Sequence, residues 1–144
     1  MPRLTLANAT SRCFSRVPHV VINESFTTVH GFTGSGLSEC GISGGKLSLT
    51  DSGSGGGFAS RAMTLHGSTT YSYSIDYTDA GAGHGVIKFG TSANDDTNGS
   101  VNLTSTGNIK GTFTSTSKAT HITIVVNNAS RTLKFDNLLI QENN

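Results

Sequence analysis

The stretch Thr70-Tyr-Ser-Tyr-Ser-Ile-Asp-Tyr-Thr78 decides the fold class, because large apolar and small polar side chains alternate along it. The three tyrosines and Ile75 share one parity, and Ser, Asp and Thr occupy the other. Successive side chains of a β-strand point to opposite faces of its sheet, so this period of two predicts a strand with one buried face.

Other segments extend the same pattern outward from this strand. Residues 120–127 alternate again, with Ile122, Ile124 and Val126 on one side and His121, Thr123 and Val125 on the other. Clusters of Gly, Asn, Asp and Ser separate the segments and predict turns. The remaining candidate strands are 46–50, 58–65, 85–91, 100–104, 108–115 and 131–141.

No helical period lies between these segments, which argues against a parallel sheet because parallel strands need crossover connections. About eight short strands at close spacing predict two antiparallel sheets packed face to face. The predicted fold is therefore an all-β, antiparallel, two-sheet jelly-roll β-sandwich.

Composition and charge argue against several classes of protein, namely nucleic-acid-binding, membrane-spanning and disulfide-rich proteins. A chain of 144 residues fits one domain, and its formal net charge of +1 provides no basic field for nucleic acid. No run of about 20 apolar residues predicts a membrane span, and the first residues lack the apolar stretch of a secretory signal. Cys13 and Cys40 are too few for a disulfide framework. We therefore expect a soluble protein made in the cytoplasm, with free thiols and neither a nucleic-acid nor a membrane partner.

Residues 1–22 differ from the rest of the chain, since they contain three arginines, no acidic residue and no glycine. This composition predicts an extended N-terminal arm, followed by the sandwich domain at 23–144. Two alternatives remain for the arm: a frayed, solvated terminus, or a segment that becomes ordered against a partner. The candidate docking residues for the second alternative are Arg3, Arg12, Phe14 and Arg16.

No arrangement of residues predicts catalysis. A Gly-x-Ser-x-Gly elbow leading into a helix is missing, the five histidines are scattered, and the acidic residues mostly stand in predicted turns, so paired glycosidase carboxylates are not indicated. Calcium is a candidate ligand, because Glu24 near the first strand and Asp136 in the last could supply hard oxygens. The alternative is that Glu24 is exposed and that Asp136 pairs with a neighbouring Lys or Arg.

Five segments follow one another in a characteristic order: Ile22-Asn-Glu-Ser-Phe26, Gly45-Lys-Leu-Ser-Leu-Thr50, Leu65-His-Gly-Ser-Thr-Thr-Tyr-Ser-Tyr-Ser-Ile75, Gly111-Thr-Phe-Thr-Ser115 and Leu133-Lys-Phe-Asp-Asn-Leu-Leu-Ile140. Together they resemble the carbohydrate-binding modules of families 4 and 9. The resemblance spans about residues 22 to 142 and implies a jelly roll in which Glu24 and Asp136 match the carboxylates that sometimes hold calcium near the termini. Family members usually stack sugar rings on exposed aromatic residues, Trp above all, and this chain has no Trp. Tyr71, Tyr73 and Tyr77 share one strand face and are expected to lie in the core; in the alternative in which the chain binds glycans, they are the candidate glycan-binding residues.

The chain as a whole also resembles small accessory structural proteins of tailed bacteriophages. That resemblance implies a non-enzymatic virion structural protein, such as a capsid decoration (cement) protein or a short head-fibre subunit. It would dock through its arm on the major capsid protein or another virion protein, form homo-oligomers and be located in the virion. The alternative is a carbohydrate-binding module or tail-fibre component that binds surface glycans and aids adhesion to the host.

Overall fold

The alternation around Tyr73 builds the centre of one sheet in the computed structural model, which describes residues 19–79 and 85–143. This strand, β6 (Thr69–Asp79), pairs with two antiparallel neighbours. The other strands are β1 (Val20–Glu24), β2 (Thr33–Ser35), β3 (Leu37–Ser43), β4 (Lys46–Asp51), β5 (Gly57–Thr64), β7 (Gly85–Gly90), β8 (Gly99–Leu103), β9 (Gly107–Ser115), β10 (Ala119–Val126) and β11 (Thr132–Glu142).

The strands form two antiparallel sheets. Sheet A has the order β3-β4-β11-β6-β9, with β1 paired to the far half of β11, and sheet B has the order β2-β5-β10-β7-β8. The two sheets enclose one apolar core, as the sequence predicts. No helix occurs in the described ranges, and so none there is long and apolar enough to cross a membrane.

A stack of aromatic rings joins the two sheets in the core. Phe89 of sheet B stacks on Phe113 of sheet A with 4.0 Å between ring centroids, and Phe113 in turn stacks on Tyr71 at 5.7 Å. Tyr73 packs against the same Phe89 at 4.9 Å. Aromatic pairs at these separations contribute about 0.5–1.5 kcal/mol each beyond their buried area, so this stack holds the sheets together.

The eight predicted strands are confirmed, with ends that differ by one or two residues. Three further strands, β1, β2 and β3, were not predicted. The predicted boundary at residue 22 is wrong, since Val20 to Ile22 pair with β11 and Ile22 lies in the core. These residues belong to sheet A because their backbone groups complete the ladder along β11 and Ile22 buries its side chain.

The glycine-rich segment after β4 is organised by one carboxylate. Asp51 accepts hydrogen bonds from the backbone N–H groups of Gly53 (2.7 Å), Gly55 (2.9 Å) and Gly57 (3.0 Å). The hydrogen bonds from Gly55 and Gly53 are the main reason why the pKa of Asp51 lies below its ordinary value. The loop therefore has a defined conformation, although its composition alone suggests a flexible segment.

Candidate functional site

An apolar row crosses the outer face of sheet B. Val125 is only 5% exposed, yet it lies outside the core cluster, because Ile124 and Val126 on either side of it point inward. Its cross-strand neighbours are Phe58 of β5 and Val86 of β7, which are both half-buried. Directly opposed residues on one face of a sheet pack against each other, so these three side chains form a continuous apolar strip, which we call the apolar row.

The apolar row ends at a polar recess. Val86 pairs with Asn102 of the edge strand β8. Asn102 lines a recess of about 400 Å³ at the end of sheet B, together with Gly85, Leu103, Thr104, Asn127 and Asn128. An apolar surface next to a few amide and hydroxyl groups is the usual composition of a small-molecule site.

The loop of residues 91–98 covers the neighbouring part of this face. The backbone N–H of Asn94 donates to Thr123 Oγ1 at 3.0 Å, and Thr123 donates to Ser60 Oγ at 3.1 Å. Lys88 Nζ donates to Asn94 Oδ1 at 3.0 Å. Thr123 is fully buried as a result, although it points away from the core. The loop thus lies beside the apolar row and borders it.

Asp95 fixes the conformation of this loop. Its carboxylate accepts from the hydroxyl of Thr97 (2.7 Å) and from the backbone N–H of Thr91 (2.7 Å). These hydrogen bonds, with that of Thr97 the largest cause, lower the pKa of Asp95 to about 2. Gly90 is required beneath the loop, since a Cβ there would overlap the Asp95 carbonyl oxygen.

The three tyrosines of β6 are core residues, as the sequence predicts, and this burial argues against their alternative role as glycan-binding residues. Tyr71 and Tyr77 are each 1% exposed and Tyr73 is 8% exposed. Their strand directs them between the sheets, where Tyr71 Oη accepts from the His66 N–H at 2.9 Å. Burial raises the pKa of Tyr73. None of the three rings presents a face on which a sugar could stack.

The two calcium candidates are not brought together. Glu24 points inward and bonds to Arg61 Nη1 of sheet B at 3.1 Å and to His30 Nδ1 at 2.8 Å. Asp136 follows the buried Phe135 and lies on the outer face of sheet A. Because these carboxylates leave opposite faces of one sheet, they do not form a joint site. No group of three or more His, Cys, Asp or Glu side chains in the described ranges could hold a metal ion. Calcium binding stays a prediction.

The docking candidates Arg3, Arg12, Phe14 and Arg16 lie outside the described residues. Docking through the arm therefore stays a prediction.

The apolar row was missed, although one signal pointed to it. In the alternating segment 120–127, Val125 stands on the parity of His121 and Thr123, where a solvated face would carry a polar residue. That Phe58 lies beside Val125 depends on the register between β5 and β10, which no local pattern provides.

Comparison of the sequence with models of known protein families, and with curated proteins, gave no match. The fold is similar to solved carbohydrate-binding structures. A CBM4 structure gives a TM-score of 0.66 at 15% identity, with 87% of this chain and 95% of that chain covered. The CBM22-1 xylan-binding domain from Paenibacillus barcinonensis Xyn10C gives 0.63 at 17% identity, covering 88% and 96%.

The N-terminal cellulose-binding domain of Cellulomonas fimi β-1,4-glucanase C gives a TM-score of 0.61 at 17% identity, with 79% of this chain and 90% of that chain covered. At these identities the similarity is one of fold. The chain has the jelly-roll β-sandwich architecture found in carbohydrate-binding modules.

Proposed function

We propose that this chain is a non-enzymatic carbohydrate-binding module whose glycan lies on the outer face of sheet B. The observation that carries the proposal is the apolar row, in which Val125 is buried on the face turned away from the core. The fold similarity to xylan-binding and cellulose-binding domains supports it further.

The chemistry of this face suits a neutral sugar chain. The ring of Phe58 and the methyl groups of Val86 offer an apolar surface for the C–H face of a pyranose, while Asn102 offers an amide for its hydroxyl groups. Phe58 would supply the stacking contact for which sugar-binding sites often use Trp. The rigid 91–98 loop keeps one side of the surface in place, which lowers the entropy cost of binding.

The proposal is tested by measuring affinity for soluble xylan and hydroxyethylcellulose with native affinity electrophoresis and calorimetry. We expect Phe58→Ala to weaken binding about tenfold, which corresponds to about 1.4 kcal/mol. Thr64→Ala is the matched control, because Thr64 lies exposed on the same strand and the same face, away from the row. Equal affinity of wild type and Phe58→Ala for a glycan that binds would remove the proposal.

Attachment to a virion is a separate proposal with less support. The compared structures favour the carbohydrate-binding alternative, and the residues predicted to dock lie outside the described ranges. Deleting residues 1–18 removes those candidates and leaves β1 intact. Mass spectrometry of purified particles tests whether the full-length chain attaches and whether the shortened chain fails to do so.

A further inference from the structure

A second recess lies on the outer face of sheet A, on the opposite side of the sandwich from the apolar row. The alternation of β6 places its tyrosines in the core and therefore leaves the short Ser72 and Ser74 on the outer face. Longer side chains of the two neighbouring strands flank these serines: Leu139 and Gln141 of β11, and Lys110 and Thr112 of β9. The difference in side-chain length creates a recess of about 340 Å³ along β6.

Three polar side chains lie next to this recess on the same face, and one of them contacts its lining residue Ser74. Asp76 follows Ser74 on the same face, and an Asn from each neighbouring strand reaches it: Asn137 Nδ2 donates to Oδ2 at 2.7 Å and Asn108 Nδ2 to Oδ1 at 2.8 Å. Asn108 Nδ2 also lies 2.9 Å from Ser74 Oγ, which lines the recess. These hydrogen bonds, with that of Asn137 the largest cause, hold the pKa of Asp76 below its ordinary value.

This arrangement orients the two amides in advance. Both Nδ2 groups are engaged by Asp76, so the amide oxygens of Asn108 and Asn137 are the atoms left to accept hydrogen bonds from a ligand. Asn137 owes its position to an irregularity in β11, whose register shifts between Asp136 and Leu139, and to a backbone φ of 49°. Bulges of this kind redirect side chains and are common next to functional sites.

We propose that this recess is a second binding site for a neutral oligosaccharide. Leu139, half-buried, provides an apolar contact for a sugar ring, and hydroxyl and amide groups surround it. Charge on this face is balanced, because Lys110 and Lys46 oppose the carboxylates of Asp76 and Asp136. Asp76 is already bonded to neutral amides. The balance favours an uncharged, polyhydroxylated ligand. From Ser72 to Asp76 the strand runs about 13 Å, which gives room for a short oligosaccharide.

The proposal goes beyond the function proposed above because it concerns the other sheet. Two sites on opposite faces of one sandwich cannot contact the same short segment of glycan. Each chain would therefore join two glycan strands, and the second contact would benefit from the local concentration that the first creates.

The test follows backbone amide signals of the ¹⁵N-labelled protein during titration with cellohexaose and with xylohexaose. The decisive variant is Asn108→Ala combined with Asn137→Gly, since Gly retains the positive φ while the carboxamide is removed. Thr78→Ala is the matched control, on the same strand and face but outside the recess. Thermal melting shows that each variant folds.

We expect saturable shifts at Ser72, Ser74 and Lys110 in wild type and in Thr78→Ala, and at least tenfold weaker binding there in the double variant. The affinity measured at Phe58 and Val125 should stay unchanged in that variant. The proposal would be overturned if a sugar shifts the amide signals of Phe58 and Val125 but leaves those of the recess unchanged. Full affinity of the double variant at the recess would overturn it as well.

Other results assign the recess differently or separate the two proposals. Shifts at the recess that depend on protein concentration without sugar would place a second copy of this chain there and overturn the proposal. Amide shifts at the recess without shifts at Phe58 and Val125 would contradict the proposed site on sheet B alone. The absence of amide shifts at both places would contradict both proposed binding sites.

Discussion

Two neighbouring residues of β10 should respond very differently to truncation. Ile124 and Val125 are both buried, at 0% and 5% exposure, but they lie on opposite faces of sheet B. Ile124→Ala removes three carbons from the closed core, worth about 2.4 kcal/mol at about 0.8 kcal/mol for each carbon. The unfilled cavity adds to this cost, so we expect a loss of about 2–5 kcal/mol.

Val125→Ala removes two carbons from the outer face of sheet B, which lies outside the closed core although Val125 itself is only 5% exposed. The transfer cost is at most about 1.6 kcal/mol. No sealed cavity forms, so the loss of stability should stay at or below this value, while glycan affinity should fall because the apolar row loses its central member. Urea unfolding of both variants and of wild type, analysed for the free energy of unfolding, gives the comparison.

Equal destabilisation by the two substitutions would refute this reasoning. It would mean that Val125 packs in the core, that the register of β10 differs, and that the apolar row does not exist. Ile124→Val serves as an internal scale, because a single deleted methylene in a core usually costs about 0.5–1.5 kcal/mol.

Three further predictions concern the loops and the ends of the sheets. Gly90→Ala should displace the 91–98 loop, because the new Cβ overlaps the Asp95 carbonyl oxygen. Hydrogen exchange of the Asn94 amide should then accelerate, since its hydrogen bond to Thr123 weakens. An unchanged exchange rate would contradict this prediction. Folding lowers the pKa of Asp95 from 3.8 to about 2, so its stabilising contribution is complete above about pH 4 and is lost as the pH falls towards 2. The melting temperatures of wild type and Asp95→Asn should therefore converge at acidic pH, and parallel curves would count against this role. If calcium binds through Asp136, its addition should raise the melting temperature of wild type but not of Asp136→Ala. Equal shifts in both proteins would contradict calcium binding at Asp136.

Local alternation predicted much of the fold for a physical reason. In β6 and β10 a period of two separates the residues that bury from those that do not, and the structure confirms both strands. Two of the missed strands carry no such period: Thr33–Ser35 is exposed at all three positions, and the edge strand Leu37–Ser43 has its two large apolar residues, Leu37 and Ile42, on opposite parities. Their pairing with β5 and β4 comes from tertiary context.

The candidate sites were harder to predict, since each combines residues from three strands. The alternation of β6 predicted that its tyrosines are buried, but it did not show which residues of other strands lie beside its outer face. The apolar row requires the register of β5 and β7 on β10, and the recess requires the register of β9 and β11 on β6. Cross-strand register depends on the whole sheet and has no signature within a single segment.

The pairing of the first and last strands determines how the domain yields to pulling. Val20 lies opposite Gln141 and Glu24 opposite Leu138, so tension applied at His19 and Asn143 loads one end of the β1–β11 ladder. The hydrogen bonds of this strand pair are then broken one after another, in an unzipping geometry, and do not share the load as they would in a shear geometry. Rupture reaches Glu24 last, where the ion pair with Arg61 links β1 to the other sheet and gives the strand a contact outside its own ladder.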